Sequence, residues 1–350
     1  MNSTTQTASR NPRKPRRGLA PALTLVFLAP VIAEVLSGAT RISFIFALIP
    51  EMMVWGCGAL MIREAVRRWR GGWTSILLLG LGLSVAEEFI IQQTSLAPLP
   101  WLGPVTTYGR QWGVNWVYFL FMLGYESVWV VLVPVQVVEL IFAKRRDERW
   151  LGNAGMIFSG VVFLLGSRIA WYAWVKRARP MVFHAPEYHP PLTTIFVGLL
   201  AIVLLALVAY SVRRSAEALP VASRRVPPAW IVALAGLALG FPWYLLMALV
   251  FSPPFRPNLS FWVPMAGGIA WAVLACLVIR YWSSSPQWQD RHRWALTFAA
   301  TLVCMGGGFL GSSAWPRLDL IGKCVLDLIA VLGMLLLLHR IQQRRVVVRG

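Results

Sequence analysis

Residues 192–212 read LTTIFVGLLAIVLLALVAYSV, with no charged side chain among them. A helix needs about 20 mostly apolar residues to cross the hydrocarbon core of a bilayer. The run is continuously apolar instead of alternating over about 10 residues, which excludes a strand of a transmembrane barrel. Working outward, segments 20–39, 42–62, 73–92, 114–142, 155–174, 229–251, 261–282, 294–313 and 320–339 also qualify. The expected fold is all-α: a polytopic helical integral membrane protein with nine or ten spans. Of 350 residues, 57% are apolar and 13% charged, against about 45–50% and about 25% in a soluble domain. Mean hydropathy is +0.63. This balance excludes a soluble enzyme, a disordered chain and a disulfide scaffold.

On a soluble protein a net charge of +19 would suggest a nucleic-acid partner. Here the bases sort by connection. One set lies in the N-terminal tail (Arg10, Arg13, Lys14, Arg16, Arg17) and after the second span (Arg63, Arg67, Arg68, Arg70). It continues after the fourth (Lys144, Arg145, Arg146, Arg149) and the sixth (Arg213, Arg214, Arg224, Arg225). Arg280, Arg291 and Arg293 follow the eighth, and Arg340, Arg344, Arg345 and Arg349 close the chain. Most of the 33 bases thus mark one face, so the positive-inside rule places both termini in the cytoplasm. The expected location is the bacterial cytoplasmic membrane, with the lipid bilayer as partner and no nucleic acid. The loop holding Lys176, Arg177 and Arg179 fits this partition least well.

The basic start followed by an apolar run has the outline of a signal peptide. With no small-x-small cleavage site and with Glu34 inside the run, an uncleaved first span is the expectation. The chain then divides into a basic tail (1–18), one transmembrane helical domain (19–343) and a basic tail (344–350). Acid-bearing helices occupy 20–174 and smoother apolar helices 192–339. No connection can hold a separate soluble domain, and the proline-rich segment 93–113 (Pro98, Pro100, Pro104) is placed to cover the acids. The fourth span contains Gly124 and Pro134 and must tilt or kink. Trp69, Trp73, Trp112, Trp116, Trp171, Trp174, Trp282, Trp294 and Trp315 read as interfacial anchors.

Seven of the 14 acids fall inside spans: Glu34, Glu51, Glu87, Glu88, Glu126, Glu139 and Asp327. A carboxylate at the bilayer centre costs about 2.5–3.5 kcal/mol on the translocon scale, so such groups should face a protein interior or a water cavity. At about 1.5 Å per residue, Glu34, Glu87 and Glu88 lie roughly 7–8 Å below the outer ends of their spans and Glu51 roughly 13 Å. Glu126 and Arg168 share that outer half. The candidate site is therefore Glu34, Glu51, Glu87, Glu88, Glu126, Arg168 and Gln92. Five acids against one base require protons, a bound cation or an outward-facing aqueous cavity. Ser84, Glu88 and Gln92 recur at i, i+4 and i+8 as one polar stripe, with Glu87 pointing about 100° away towards another neighbour. Pro50 loosens the backbone before Glu51. Asp327 is expected to pair with Lys323 four residues before it, and Glu139 to snorkel.

The element Val-Ala-Glu87-Glu88-Phe-Ile-Ile-Gln92 resembles the EExxxR motif of CPBP-type intramembrane proteases, with Gln92 in place of the arginine. The resemblance covers about six residues and implies catalytic roles for Glu87 and Glu88 in water activation, completed by histidines on later helices. His184, His189, His292 and His339 all lie in loops or at a span end instead. His184-Ala-Pro-Glu187-Tyr-His189 matches neither zinc-protease helix motif, and Pro186 opposes a helix; no metal site is expected. Cys57, Cys276, Cys304 and Cys324 read as small packing residues. Gly306, Gly307, Gly308 and Gly311 read as a close-packing helix surface. No phosphate-binding or dinucleotide motif occurs, and no cofactor is expected. The leading expectation is a secondary transporter or ion-coupled permease using protons or a cation. The alternatives are an intramembrane hydrolase and a non-catalytic accessory membrane subunit.

Overall fold

A computed structural model describes residues 18–98, 108–214, 225–251 and 259–349. The basic residues of the N-terminal tail, Arg224, Pro100 and Pro104 lie outside the described residues. Nine described helices are long and apolar enough to cross a membrane. They are α2 (Ile42–Arg68), α3 (Trp73–Ile91), α4 (Trp116–Ile141), α5 (Asn153–Val182), α6 (Leu192–Ser211), α7 (Ala229–Leu249), α8 (Trp262–Ser283), α9 (Asp290–Leu310) and α10 (Arg317–Arg349). A shorter apolar helix, α1 (Ala20–Val35), precedes them. The protein is an all-α polytopic helical membrane protein. Among the described residues the strands are limited to a small hairpin, β1 (Arg110–Gln111) with β2 (Val114–Asn115).

Several boundaries depart from the expectation for identifiable reasons. Helix α1 stops at Val35, not 39, because the chain turns at Gly38. That residue has φ of +78°, and the Trp315 ring stands 2.1 Å from where its Cβ would be. Helix α2 passes position 62 and continues to Arg68, since Arg63 and Glu64 are core residues with no exposure. Helix α5 runs to Val182, so Lys176, Arg177 and Arg179 are helical and not in a loop. Buried Arg179 donates to the carbonyls of Pro186 and Pro98, both at 3.0 Å, which satisfies its charge where a loop was expected. Helix α9 starts at Asp290. Trp294 is buried and donates to Met334 O at 2.8 Å, so it joins two helices and is not an interfacial anchor.

Helices α3 and α4 form the centre, with 61% of their apolar windows buried, whereas α8 has none. A helix that is apolar all round yet little buried turns its surface to lipid. The acid-bearing helices are thus the inner ones, and α5, α6 and α8 sheathe them.

The basic connections meet at one end of the bundle. Arg145 donates to Gly18 O at 2.8 Å, Trp73 to Ser283 Oγ at 3.2 Å and Arg344 to Leu140 O at 3.0 Å. Arg146 Nη2 donates to both oxygens of Asp290, at 2.6 and 2.8 Å. Within this end Arg63 has no exposure. It reaches Glu64 at 2.6 Å, Glu139 at 3.1 Å, and the carbonyls of Arg146 and Glu148 at 2.5 and 2.7 Å. Its guanidinium lies 3.5 Å from the Trp150 ring centre. Glu139 therefore does not snorkel: it is 2% exposed and also holds Arg67 at 2.5 and 2.7 Å. At the opposite end Lys323 pairs with Asp327 at 2.9 Å, as its spacing indicates, and also donates to Leu36 O at 2.5 Å. Asp319 is buried there and accepts from Ser43 N and Oγ, each at 2.9 Å.

Candidate functional site

Each acid of the candidate site lies where its helix leaves α geometry. Glu34 is inside a π segment, Val31–Val35. Glu51 immediately precedes a second, Met52–Gly56. Glu87 and Glu88 open a third, Glu87–Ile91, and Glu126 opens a fourth, Glu126–Leu132. A π turn is rare, shifts the helix register and is frequent at functional sites. It also alters which carbonyls find a partner within the helix, and side chains here supply donors. Cys304 Sγ donates to Ile32 O at 3.3 Å, Tyr125 OH to Ala33 O, and Ser127 Oγ to Leu123 O at 2.6 Å.

Three of these distortions carry the carboxyls of α1, α3 and α4 that lie together. Glu34, Glu87, Glu88 and Glu126 lie within electrostatic reach of one another, and Glu51 of α2 reaches Glu34. Glu126 lies beside both Glu88 and Ser84, while Ser84 Oγ, Glu88 Oε1 and Glu126 Oε2 have no hydrogen-bond partner among the described residues. Glu88 Oε2 accepts from Thr94 Oγ1 at 2.7 Å and Ser95 Oγ at 2.5 Å. Thr40 Oγ1 donates to Glu51 Oε1. Glu87, Glu88 and Glu126 are 1–2% exposed and Glu51 7%, while Glu34 keeps partial access to the surface. Glu87 stands apart: neither of its oxygens has a hydrogen-bond partner among the described residues.

A polar cap closes over Glu88. Beyond the π turn the chain reverses through Gln93, which has φ of +62°. The Asn115 side chain donates to Thr94 O at 3.2 Å and Ala97 O at 2.7 Å. Arg110 in turn holds Asn115 Oδ1 and Leu96 O, both at 2.8 Å. Buried Tyr118 interacts with Thr94 and Glu88 from α4.

Of the residues singled out in the sequence, the five glutamates converge and two other residues stay outside. Arg168 is exposed on α5, its guanidinium 4.4 Å from the Trp171 ring centre, and it pairs with none of the acids. Gln92 makes no side-chain hydrogen bond among the described residues. The stripe Ser84, Glu88, Gln92 assumes an unbroken 3.6-residue period, and the π turn at 87–91 breaks it. Ser84 Oγ lies beside Glu126 without a hydrogen-bond partner among the described residues, Glu88 meets Thr94 and Ser95, and Glu87 turns into the same cluster instead of towards a separate neighbour. Sequence reasoning missed Thr40, Thr94, Ser95, Asn115 and Tyr118. The polar run Gln92-Gln93-Thr94-Ser95 directly after an apolar span was the available signal.

No protein-family model, curated protein or solved structure matches the chain. The likeness of Glu87-Glu88 to the CPBP element rests on its few residues, and the histidines lie elsewhere. His292 is buried at the start of α9, its Nδ1 accepting from Gln289 N at 3.0 Å. His339 meets Gln343 at 2.8 Å on α10, and His184 and His189 are in the connection after α5. Among the described residues no three His, Cys, Asp or Glu side chains are arranged to hold a metal ion. Cys304 does more than fill space, as it bonds the α1 backbone. Gly306, Gly307 and Gly308 pack closely as their composition suggests, against Phe241, Tyr244 and the Ser37 carbonyl.

Proposed function

We propose that the chain is a secondary transporter or ion-coupled permease in which the carboxyl cluster exchanges protons. One observation carries this reading: Glu87 is buried at the bundle centre with both oxygens unpartnered, beside Glu34, Glu88 and Glu126. No lysine or arginine pairs with these four among the described residues. Carboxyl groups gathered in one buried site cannot all stay ionised, and uncompensated charges in a low-dielectric interior cost several kcal/mol each. Protons are the economical counter-charge. A hard dication wants six or more oxygens around it, and the carboxyls are not arranged that way. Glu34, with its partial access, is the entry for protons, and Glu51 with Thr40 stands next to it.

The basic end is the cytoplasmic one, which puts both termini in the cytoplasm of a bacterium and the acid cluster towards the outside. An intramembrane hydrolase using Glu87 and Glu88 lacks a second catalytic group beside them. A purely structural set of acids would be expected to have its oxygens satisfied, which Glu87 does not.

The test is proton exchange in sealed vesicles holding a pH-sensitive dye, beside difference infrared spectra of the protonated carboxyl stretch. Wild type is expected to pass protons under an imposed gradient and to show carboxyl bands that titrate. Variants E34Q, E51Q, E87Q, E88Q and E126Q, checked for abundance, should lose exchange at normal expression, and E87Q should lose a band. If E87Q matches wild type in both readouts, or every variant loses protein in step with activity, the cluster is structural.

A further inference from the structure

The basic end holds a second polar assembly, distant from the acid cluster and independent of its reading. Four guanidiniums gather there: Arg63, Arg67, Arg146 and Arg293. Three carboxylates answer them. Glu139 takes Arg63 and, from Arg67, both Nε and Nη2. Glu64 takes Arg63 and the backbone N–H groups of Trp150 and Leu151, at 3.1 and 3.2 Å. Asp290 takes Arg146 through both oxygens. Arg293 is left over. It lies in the first turn of α9, half-buried, and its side chain has no hydrogen bond or ion pair among the described residues. Arg146 and Arg67 are its electrostatic neighbours, with Asp290 and Glu139 already engaged.

A half-buried guanidinium with no protein acceptor among the described residues, beside two others, has its donors free for an anion. Its five donors are set in a fork that matches phosphate oxygens. The surroundings suit the membrane surface, for Trp288 stacks on His292, the residue before Arg293, with ring centres 5.4 Å apart. Basic pockets between helices on this side of a membrane are where acidic headgroups bind. We propose that Arg293, flanked by Arg146 and Arg67, binds a phosphate group, supplied by an anionic phospholipid headgroup or by free phosphate.

The test uses the full chain in detergent, mixed with equal phosphatidylglycerol and phosphatidylcholine, with retained lipid read by native mass spectrometry. Wild type should retain phosphatidylglycerol preferentially. Arg293→Gln should lower that retention about fivefold, the loss expected for one basic residue at an acidic surface. Arg293→Lys should keep most of it, and Arg291→Gln, at an exposed neighbouring position, should lower it less than Arg293→Gln does. Added inorganic phosphate that displaces the lipid shows a site filled equally well from solution, and lipid retained against it shows a headgroup site. Equal retention of both lipids by wild type overturns the proposal, as does undiminished retention by Arg293→Gln. If Arg293→Gln does not fold, the wild-type preference and the behaviour of Arg293→Lys decide.

Discussion

Ser95 donates to Glu88 Oε2 at 2.5 Å from seven residues further along the chain. Thr94 reaches the same oxygen. The reversal after α3 therefore folds back onto its own acid and is held there by Asn115 and Arg110. Removing both hydroxyls leaves a buried carboxyl oxygen unsatisfied, a loss of about 1–3 kcal/mol. The double variant Thr94→Val, Ser95→Ala should melt measurably lower than wild type. Ser211→Ala, which removes an exposed hydroxyl bonded only to its own helix, serves as control and should melt unchanged. Equal melting of all three proteins would show that the cap contributes nothing.

Arg63 is the most heavily partnered side chain at the basic end. Replacing it with Met leaves buried Glu64 with only the N–H groups of Trp150 and Leu151 and Glu139 with Arg67 alone, and breaking a buried pair in this way costs about 3–5 kcal/mol. Arg63→Met should lose abundance and unfold at lower denaturant. Adding Glu139→Met takes the carboxylate from Arg67 as well and should lower stability further. A single variant as stable as wild type would mean the network is not formed.

The fold was largely legible because span length and apolar continuity are one-dimensional properties. Which acids meet was legible in part, since depth follows from position along alternating helices, and Glu34, Glu51, Glu87, Glu88 and Glu126 do converge. Rotation about each helix axis was not legible. It depends on the π turns at Val31–Val35 and Glu87–Ile91, which no residue pattern announces, and so Gln92 was wrongly aligned with Glu88. Charges also misled where tertiary partners intervene. Arg63 and Arg179 read as loop residues by composition, yet carboxylates and carbonyls from distant segments allow them inside helices. Arg168 shows the converse, being inside a span by sequence but turned outward onto Trp171.

Helices α1 and α2 cross at Gly56, where an added Cβ would sit 2.2 Å from Val26 O. The obstacle is backbone, so no side chain can swing away. Gly56→Ala should push the helices apart at the π segment that follows Glu51, at a cost of about 1–3 kcal/mol for overpacking. Gly152→Ala, with open space around its Cβ, is the matched control. The measurement is thermal unfolding of the purified proteins together with proton exchange, and the α1–α2 crossing is disproved if the two alanine variants behave alike.

Outside the spans, the connection after α5 carries a carboxylate whose titration can be read directly. Lys176 donates to Glu187, and this hydrogen bond is the main reason the Glu187 carboxyl is held below the usual carboxylate range; His189 at 3.5 Å adds to it. With the folded value lowered, the stabilisation is complete above the ordinary carboxylate pKa and is lost as pH falls through the folded one. It is a small contribution, since the pair is exposed and screened by salt. Lys176→Gln should move the Glu187 midpoint up towards its ordinary value, read as the carboxyl carbon shift in protein labelled at glutamate. The buried acids should not follow, because none of them touches this connection. An unchanged Glu187 midpoint in Lys176→Gln would mean that the two side chains do not pair in solution.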